Sequence, residues 1–318
     1  MTEPPFVSVI VPTHRRPALL ARLLRSLCAQ NWPAARMEII IVHNATPDDT
    51  AEMVRVAAAG AAVPIAYFAT DFSGPGPSRQ FGALRARGSV LAFIDDDCEA
   101  TPTWIAAGVA ALQLGFALVQ GQTLPHPDQP RRLMEKTVSV TGPTPFFETC
   151  NIFYDAAIFH ELGGFPAEFR ERFYAEDTAL GWTVRRAGHR TGYAPDALVY
   201  HEVFALPLRA WLNEPRNMRQ WPYLARAFPE IRQALFLGVF LSRLTAGFTL
   251  AALGVLLAPL SAWALLLILP YLAIRLTERG RYRAPHLLLA RLLLGLPRAA
   301  VLLGTLLVSS WRARSLVL

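Results

Sequence analysis

Two groups of residues in this chain have the types and spacing that chemistry requires. Asp95, Asp96 and Asp97 are three consecutive carboxylates placed directly after the apolar run Ser89–Ile94 (SVLAFI). Such close carboxylates repel one another unless a cation lies between or beside them, and their oxygens suit Mg²⁺ or Mn²⁺. An extended backbone would send Asp95 and Asp97 to one side and Asp96 to the other. A solvated acidic turn is the simpler alternative, and the buried strand ahead of the run favours a site. The second group is Glu176-Asp177, followed by Leu180, Trp182 and Val184 and then Arg185-Arg186 and Gly188. Acids in a first turn and Arg in a last turn already suit the helix dipole. The functional reading makes one acid a general base, a role that typically contributes about 10²–10⁴-fold. Downstream, Tyr193–Tyr200 (YAPDALVY) reads as a loop and short strand that delivers His201 for a metal or phosphate contact, or for a structural one.

The elements around these residues alternate. Val7–Val11 is a β-branched run followed by Pro12, Thr13, His14, Arg15, Arg16 and Pro17. Leu19, Leu20, Leu23, Leu24 and Leu27 then recur at helical spacing, and Pro17 suits that helix's first turn. Glu38–Val42 predicts a strand ending in His43-Asn44, Asp49–Ala59 a helix, and Pro64–Ala69 a strand. A Gly/Pro loop over Phe72–Pro77 precedes a helix over about Ser78–Ala86. Alternation of strand and helix predicts an α/β fold with a mostly parallel, doubly wound sheet. Ligands of such sheets sit beyond the carboxyl ends of the strands. Thr13–Arg16, His43-Asn44 and Asp95–Asp97 would share that edge.

Together these segments resemble the family-two glycosyltransferases, enzymes of the GT-A fold that use nucleotide-sugar donors. The likeness runs from about Val7 to His201 through VSVIVPTHRRP, EIIIVHN, GPGPSRQFGALRARGSVLAFIDDDC, CNIFYDAAIFHELGGFPAEF and AEDTALGWTVRRAGHRTGYAPDALVYH. The resemblance implies nucleotide-sugar contacts at Pro12, Thr13, Arg16, Asn44 and Arg79. It aligns Asp95–Asp97 with the family's Asp-x-Asp motif, so that Asp97 holds the metal on the donor diphosphate and Asp95 or Asp96 touches the nucleoside side. Asp95 also counts among the metal candidates, and His201 matches a late metal or diphosphate contact. Asp177, in the Glu176-Asp177 pair, matches the base. The sequence departs from the pattern at His43, where an Asp that touches the nucleobase is common, at Phe72 and at Gln80, where Asn is common.

Composition divides the chain. It has 318 residues, 53% hydrophobic and 17% charged, with a formal charge of +7 and a mean hydropathy of +0.29. Disorder is excluded, since there is ample apolar surface for a core. Residues 231–318 carry ten Arg and one acid, Glu278, so the basic excess lies in the apolar third. Arg beside long apolar runs points to anionic headgroups rather than nucleic acid. The expected division is therefore a catalytic domain over 1–230 and a membrane-associated region over 231–318. Leu244–Ile274 is free of formal charge and broken by Pro259 and Pro270, which predicts a kinked span, a re-entrant hairpin or two thin spans over about 235–274. A Leu-rich stretch over about 286–311 predicts an amphipathic or membrane-spanning helix, with Arg291 and Arg298 on one face.

Cys28, Cys98 and Cys150 form no zinc or disulfide pattern, and Met1–Phe6 does not read as a signal peptide. The Arg275–Arg283 cluster prefers the cytoplasmic side of a membrane. The resulting expectation is an inverting, metal-dependent transferase on the cytoplasmic membrane, its catalytic domain facing the cytoplasm. It would move one sugar to a hydroxyl of a lipid-linked or membrane-proximal acceptor in cell-envelope glycan synthesis. The alternatives are a processive polysaccharide synthase and a catalytically inactive sugar-nucleotide-binding membrane scaffold.

Overall fold

A computed structural model describes residues 3–44, 48–72, 74–172, 174–277 and 285–318, with the backbone only at 285–288 and 291. The chain forms two compact units, one of Met1–Pro130 and Thr137–Phe204, the other of Arg131–Lys136 and Ala205–Leu318. Residues 205–230, grouped by charge and hydropathy with the first part, thus belong to the second unit.

The first unit is built on strands β1 (Val7–Thr13), β2 (Met37–Asn44), β3 (Ile65–Thr70), β4 (Val90–Ile94), β5 (Cys98–Ala100), β6 (Leu118–Pro125), β7 (Asn151–Asp155) and β8 (Thr191–His201). Among the described residues they form a sheet of order β3-β2-β1-β4-β7-β6-β8-β5. β1 runs parallel to both β2 and β4, and β2 parallel to β3. β7 enters antiparallel between β4 and β6. Strands β1 and β4 are buried along their whole length, and so is β2 up to Asn44. This is why their sequences are continuous apolar runs rather than alternating ones. Helix α1 (Pro17–Cys28) lays Leu20, Leu23, Leu24 and Leu27 into the core, beside Val9, Val11, Ile39 and Ile41.

Helix α2 (Thr50–Gly60) falls within one residue of the expected bounds. Helix α3 (Pro75–Ala83) starts three residues before Ser78, because a proline in a first turn gives up an N–H that has no helical partner anyway. α4 (Trp104–Leu112), α5 (Ala156–Glu161), α6 (Ala167–Arg170) and α7 (Glu176–Arg186) complete this unit. The expected loop before His201 is instead part of one long strand. β8 pairs with β6 on both sides of an irregularity opposite Gly121 and Gln122, and Pro195 falls in the unpaired stretch, where a missing donor is tolerated.

The second unit is helical: α8 (Leu208–Asn213), α9 (Trp221–Ala227), α10 (Arg243–Leu257), α11 (Leu269–Thr277) and α12 (Pro285–Ala313). α10 opens on a reciprocal cap, Ser242 Oγ accepting from the Thr245 amide (3.2 Å) and Thr245 Oγ1 from the Ser242 amide (3.1 Å). It stops at Leu257, two residues before Pro259. A 3₁₀ segment, Ala262–Ile268, and α11 then return along it. Gly254 lies against Ala264 and Leu267, which fixes the hairpin's close packing. The chain therefore folds back on itself over this stretch rather than running as one kinked rod, α10 being about 22 Å and the returning arm about 28 Å long, each shorter than a roughly 30 Å hydrocarbon layer. Among the described residues one helix, Leu292–Ala313, is long and apolar enough to cross a membrane. Arg279, Arg281 and Arg283 of the expected basic cluster lie outside the described residues.

Candidate active site

The parallel strands β1, β2 and β4 end together, so Thr13, Asn44 and the acidic run share one sheet edge. The run is not extended. The Asp95 carbonyl accepts from the Cys98 amide (3.1 Å), closing a turn over Asp96 and Asp97. Alternation therefore fails as a guide, and the three carboxylates divide differently. Asp96 and Asp97 share Arg16, whose Nη1 donates to Asp96 Oδ1 (3.2 Å) and Asp97 Oδ2 (2.7 Å). Asp95 turns instead to Arg79, at 2.5 Å.

Asp96 is the nucleoside-side candidate of the run. Its Oδ2 accepts from the Thr13 hydroxyl at 2.7 Å and weakly from the His14 amide at 3.4 Å. Burial first, and the neighbouring Asp97 second, push its carboxyl up to about 7. Arg16 itself is the residue before α1, remains accessible, and stacks 5.1 Å from the Phe204 ring. Pro12 is buried beyond the last β1–β4 pair, Ile10 with Phe93. Asn44 closes β2 with its carbonyl against His14 Nδ1, at 3.2 Å.

Arg79 organises the other acid group. Fully sunk in α3, it donates to Asp95 and, through Nη1, to Glu176 Oε1 at 3.0 Å. Burial alone would weaken its charge, but the two carboxylates keep the guanidinium protonated. Glu176 Oε2 also accepts from the Ala175 amide (3.1 Å), so this residue acts as a buried brace. Its neighbour differs. Asp177 retains some exposure and accepts from the Thr178 amide at 2.7 Å. Burial, and then the Glu176 charge, raise its carboxyl well above the usual range. The adjacent acids thus differ in their surroundings, Glu176 paired with Arg79 and Asp177 left partly exposed.

At the far end of β8, His201 Nδ1 lies 2.8 Å from the Glu202 carbonyl oxygen. That oxygen can only accept, so Nδ1 is the donor of this bond, and the neutral ring then has its lone pair on Nε2. Nε2 is 3.4 Å from Asp97 Oδ1, and that buried oxygen has no hydrogen-bond partner among the described residues. Two acceptors facing one another are the donor set of a cation site. Cys98 Sγ lies in the same cluster and is 3.7 Å from the Cys150 carbonyl oxygen, to which it donates. Asp97 and His201 therefore have the chemistry to hold a divalent ion such as Mg²⁺ or Mn²⁺. Asp95, ion-paired to Arg79, stands outside this cluster.

Residues 8–174 match the profile of Glycosyl transferase family 2. The chain belongs to that family. It is similar to Glycosyltransferase AglE of Haloferax volcanii, 25% identical over 211 residues, 62% of this chain and 67% of that protein. It is also similar to TarS of Staphylococcus aureus, a poly(ribitol-phosphate) beta-N-acetylglucosaminyltransferase, 30% identical over 90 residues, 28% of this chain and 16% of that one. In fold it is similar to the mannosyltransferase PcManGT from Pyrobaculum calidifontis in complex with GDP-Man and Mn²⁺, with a TM-score of 0.61 and 20% identity, covering 98% of this chain and 88% of that one. TarS in complex with UDP-GlcNAc superposes with a TM-score of 0.53 at 16% identity, over 98% and 92% of the two chains. The mostly parallel sheet with flanking helices is the GT-A fold.

Several residues of this glycosyltransferase's site have no signature in the sequence. Glu148 lies near enough to Asp177 to raise its carboxyl further and takes hydrogen bonds from Thr144 Oγ1 (2.6 Å) and Gln120. Asn151 is wholly buried and bonds Trp104 Nε1 and the carbonyls of Gln122 and Ala197. Gln80, one of the departures from the family pattern, holds the Gly163–Pro166 turn: its Oε1 accepts from the Phe165 amide at 2.8 Å. Gly164, at φ +70°, brings its backbone so close that a Cβ would lie 2.3 Å from that oxygen, so only glycine serves there. His43, the other buried departure, bonds Tyr67 Oη at 2.8 Å, and burial lowers its pKa.

Proposed function

We propose that this glycosyltransferase moves one sugar from a nucleotide-sugar donor to an acceptor hydroxyl by a single, inverting displacement that depends on Mn²⁺ or Mg²⁺. The observation that carries the reading is the unpartnered Asp97 Oδ1 facing His201 Nε2, with Arg79 joining Asp95 of the same run to Glu176, the neighbour of Asp177 at the start of α7. Thr13 and Asp96, with Pro12, Arg16 and Asn44 around them, bind the nucleoside end. Asp97 and His201 hold the ion, and when bound it neutralises the charge that collects on the departing diphosphate.

Asp177 is the base. An acceptor hydroxyl gives its proton to the Asp177 carboxylate as its oxygen bonds the anomeric carbon, and the bond from that carbon to the diphosphate oxygen breaks. Attack opposite the leaving group inverts the anomeric centre. A carboxylate with a raised pKa takes the proton more readily than an ordinary one. Glu176 and Arg79 position the helix start that carries Asp177, and Arg79 keeps Asp95 from competing with Asp97 for the ion.

The acceptor half of the proposal is a lipid-linked or membrane-proximal glycan, with the enzyme at the cytoplasmic membrane and its catalytic first unit facing the cytoplasm. The support is the surface of the second unit, where Leu260 is 84% and Trp263 79% exposed, together with the ten Arg of residues 231–318. A single α12 span fits that reading, with the hairpin lying in one leaflet.

A hydrolysis screen of UDP-, GDP- and dTDP-sugars with Mn²⁺ and with Mg²⁺ tests the donor half. Release of nucleoside diphosphate from at least one donor, abolished by EDTA and restored by the ion, is the expected result. Absence of both hydrolysis and binding for every donor would refute it.

A further inference from the structure

His201 is the last residue of β8, and the backbone that follows it is pinned at every polar atom over two peptide groups. In the His201–Glu202 peptide, the carbonyl accepts from the His126 amide and the N–H donates to the Asp97 carbonyl, each at 2.9 Å. In the Glu202–Val203 peptide, the carbonyl faces His201 Nδ1 at 2.8 Å, and the N–H donates to Gln129 Oε1 at 2.7 Å. Thr137 Oγ1 is further from the same ring nitrogen, at 3.4 Å. The backbone of Glu202 thus touches both residues that face one another across the candidate ion site, Asp97 through its N–H and His201 through its oxygen.

Side chains from two distant segments close the arrangement. Gln129 Nε2 donates to Glu202 Oε2 at 2.7 Å, so one amide group grips both the Val203 backbone and the Glu202 carboxylate. It cannot flip without setting acceptor against acceptor and donor against donor. Arg22, on α1, donates Nη2 to the same carboxylate oxygen at 2.6 Å, and its Nε lies 3.5 Å from Glu99 Oε2. Bonds to an ionised group are roughly twice as strong as neutral ones. The Arg22 and Glu202 side chains are only 21% and 19% exposed, so water competes little for them.

We propose that Gln129 and Glu202, with Arg22 behind them, are positioning residues for His201. The peptide whose N–H Gln129 holds is the one whose oxygen takes the His201 ring proton. If that peptide turned, Nδ1–H would lose its acceptor, and both the tautomer and the ring direction would be freed. An outer hydrogen bond of this kind decides which imidazole nitrogen faces an ion, and how steadily. The proposal rests on the reading of Asp97 and His201 as the holders of the ion, and it adds the residues that aim the imidazole.

The test uses the full chain with Mn²⁺ alone as the probe. Electron spin echo modulation by nitrogen reports an imidazole bound to Mn²⁺, and titration of free Mn²⁺ reports affinity. The unaltered chain should show nitrogen modulation, and His201→Ala should remove it. Gln129→Met and Glu202→Ala should each diminish the modulation and weaken Mn²⁺ roughly threefold to tenfold, below the about 10–100-fold typical of a partner that bonds the ligand itself. Glu202→Gln, which keeps an acceptor for Arg22 and Gln129, should retain most of both signals. A merely structural clamp would lower Tm and leave the nitrogen modulation of the folded protein intact. If Gln129→Met does not fold, Glu202→Ala set against Glu202→Gln decides. Undiminished modulation in the folded clamp variants, with His201→Ala silent, overturns this proposal and spares the ion site. Modulation missing from the unaltered chain, or surviving in His201→Ala, overturns the ion site and the clamp together.

Discussion

In the first unit the large apolar side chains are inside and the charges are paired around one sheet edge. Trp104, Phe93 and Phe153 are fully buried, and Arg16 and Arg79 between them tie up all three carboxylates of the acidic run. The second unit inverts that order. Leu256 and Leu260 stand 74% and 84% exposed, while Arg275 is nearly buried. Both units obey the same rule, that a group is placed where its surroundings satisfy it, and the difference lies in the surroundings. The first arrangement suits water. The second suits a lipid layer, the environment proposed for it. A buried charge accordingly has different surroundings in the two: Arg79 between two carboxylates in one, Arg275 beside the Tyr271 ring among apolar helices in the other.

The comparison can be broken from either side. The largest expected effect is Asp177→Asn, which should lower sugar transfer about 10²–10⁴-fold while donor affinity stays within about twofold to threefold. Undiminished turnover would remove Asp177 from the mechanism. Asp97→Ala should weaken metal-dependent donor binding at least about 10–100-fold, the loss seen when even an outer partner of a metal ligand is removed. Titration with and without Mn²⁺ reads it, and donor affinity indifferent to both ion and substitution would show that the ion sits elsewhere.

Arg79→Met strips the buried Glu176 and the less buried Asp95 of their shared partner. It should destabilise the first unit by about 3–5 kcal/mol, read by denaturant unfolding, and a loss below about 1 kcal/mol would make the network ornamental. Asp96 gives a pH signature. Its folded pKa of about 7 lies above the roughly 3.9 of an unfolded Asp, so the native state holds a proton that the unfolded state has released. That contribution is complete below about pH 4 and is lost as pH rises through 7. Metal-free protein should therefore lose stability from pH 5 to pH 8, by at most about 1.4 kcal/mol per unit, and Asp96→Asn should flatten the slope. An unchanged slope in the variant would assign it to another group.

The remaining test addresses the second unit. Leu260→Glu and Trp263→Glu at the hairpin tip should each weaken vesicle binding by roughly 2–3 kcal/mol, on the scale of burying one large apolar side chain, and leave donor hydrolysis unchanged. Vesicle flotation unaltered by both substitutions would remove the hairpin from the membrane.

Much of the first unit was legible because its signals are local. Continuous apolar runs marked the buried parallel strands, Leu at helical spacing marked α1, and polar residues after three strands marked the sheet edge. The misreadings arose where distant residues decide. Alternation placed Asp95 with Asp97, but a turn closed by the Cys98 amide pairs Asp96 with Asp97 under Arg16. Pro195 suggested a loop, but β6 carries β8 past it. Glu148 had no motif and became visible only beside Asp177. In the apolar third, hydropathy left a kinked span, a re-entrant hairpin and two thin spans open, and only the packing of Gly254 against the returning arm shows that the chain folds back.

What the sequence determined by itself is the inventory: an α/β unit of the family-two kind, an acidic run at a strand end, an acid pair at a helix start, and an Arg-rich apolar third. The family likeness rests on the resemblance of ordered motifs, and the rest follows from periodicity, caps and composition, which are properties of neighbouring residues. Only the tertiary structure decided which carboxylate meets which cation. That choice separated Asp95 from Asp97, Glu176 from Asp177, and the Arg275 seat from the rest of the basic excess. Electrostatic partners are set by distances across the fold, and charges adjacent in the chain can be sent to opposite sides of a site.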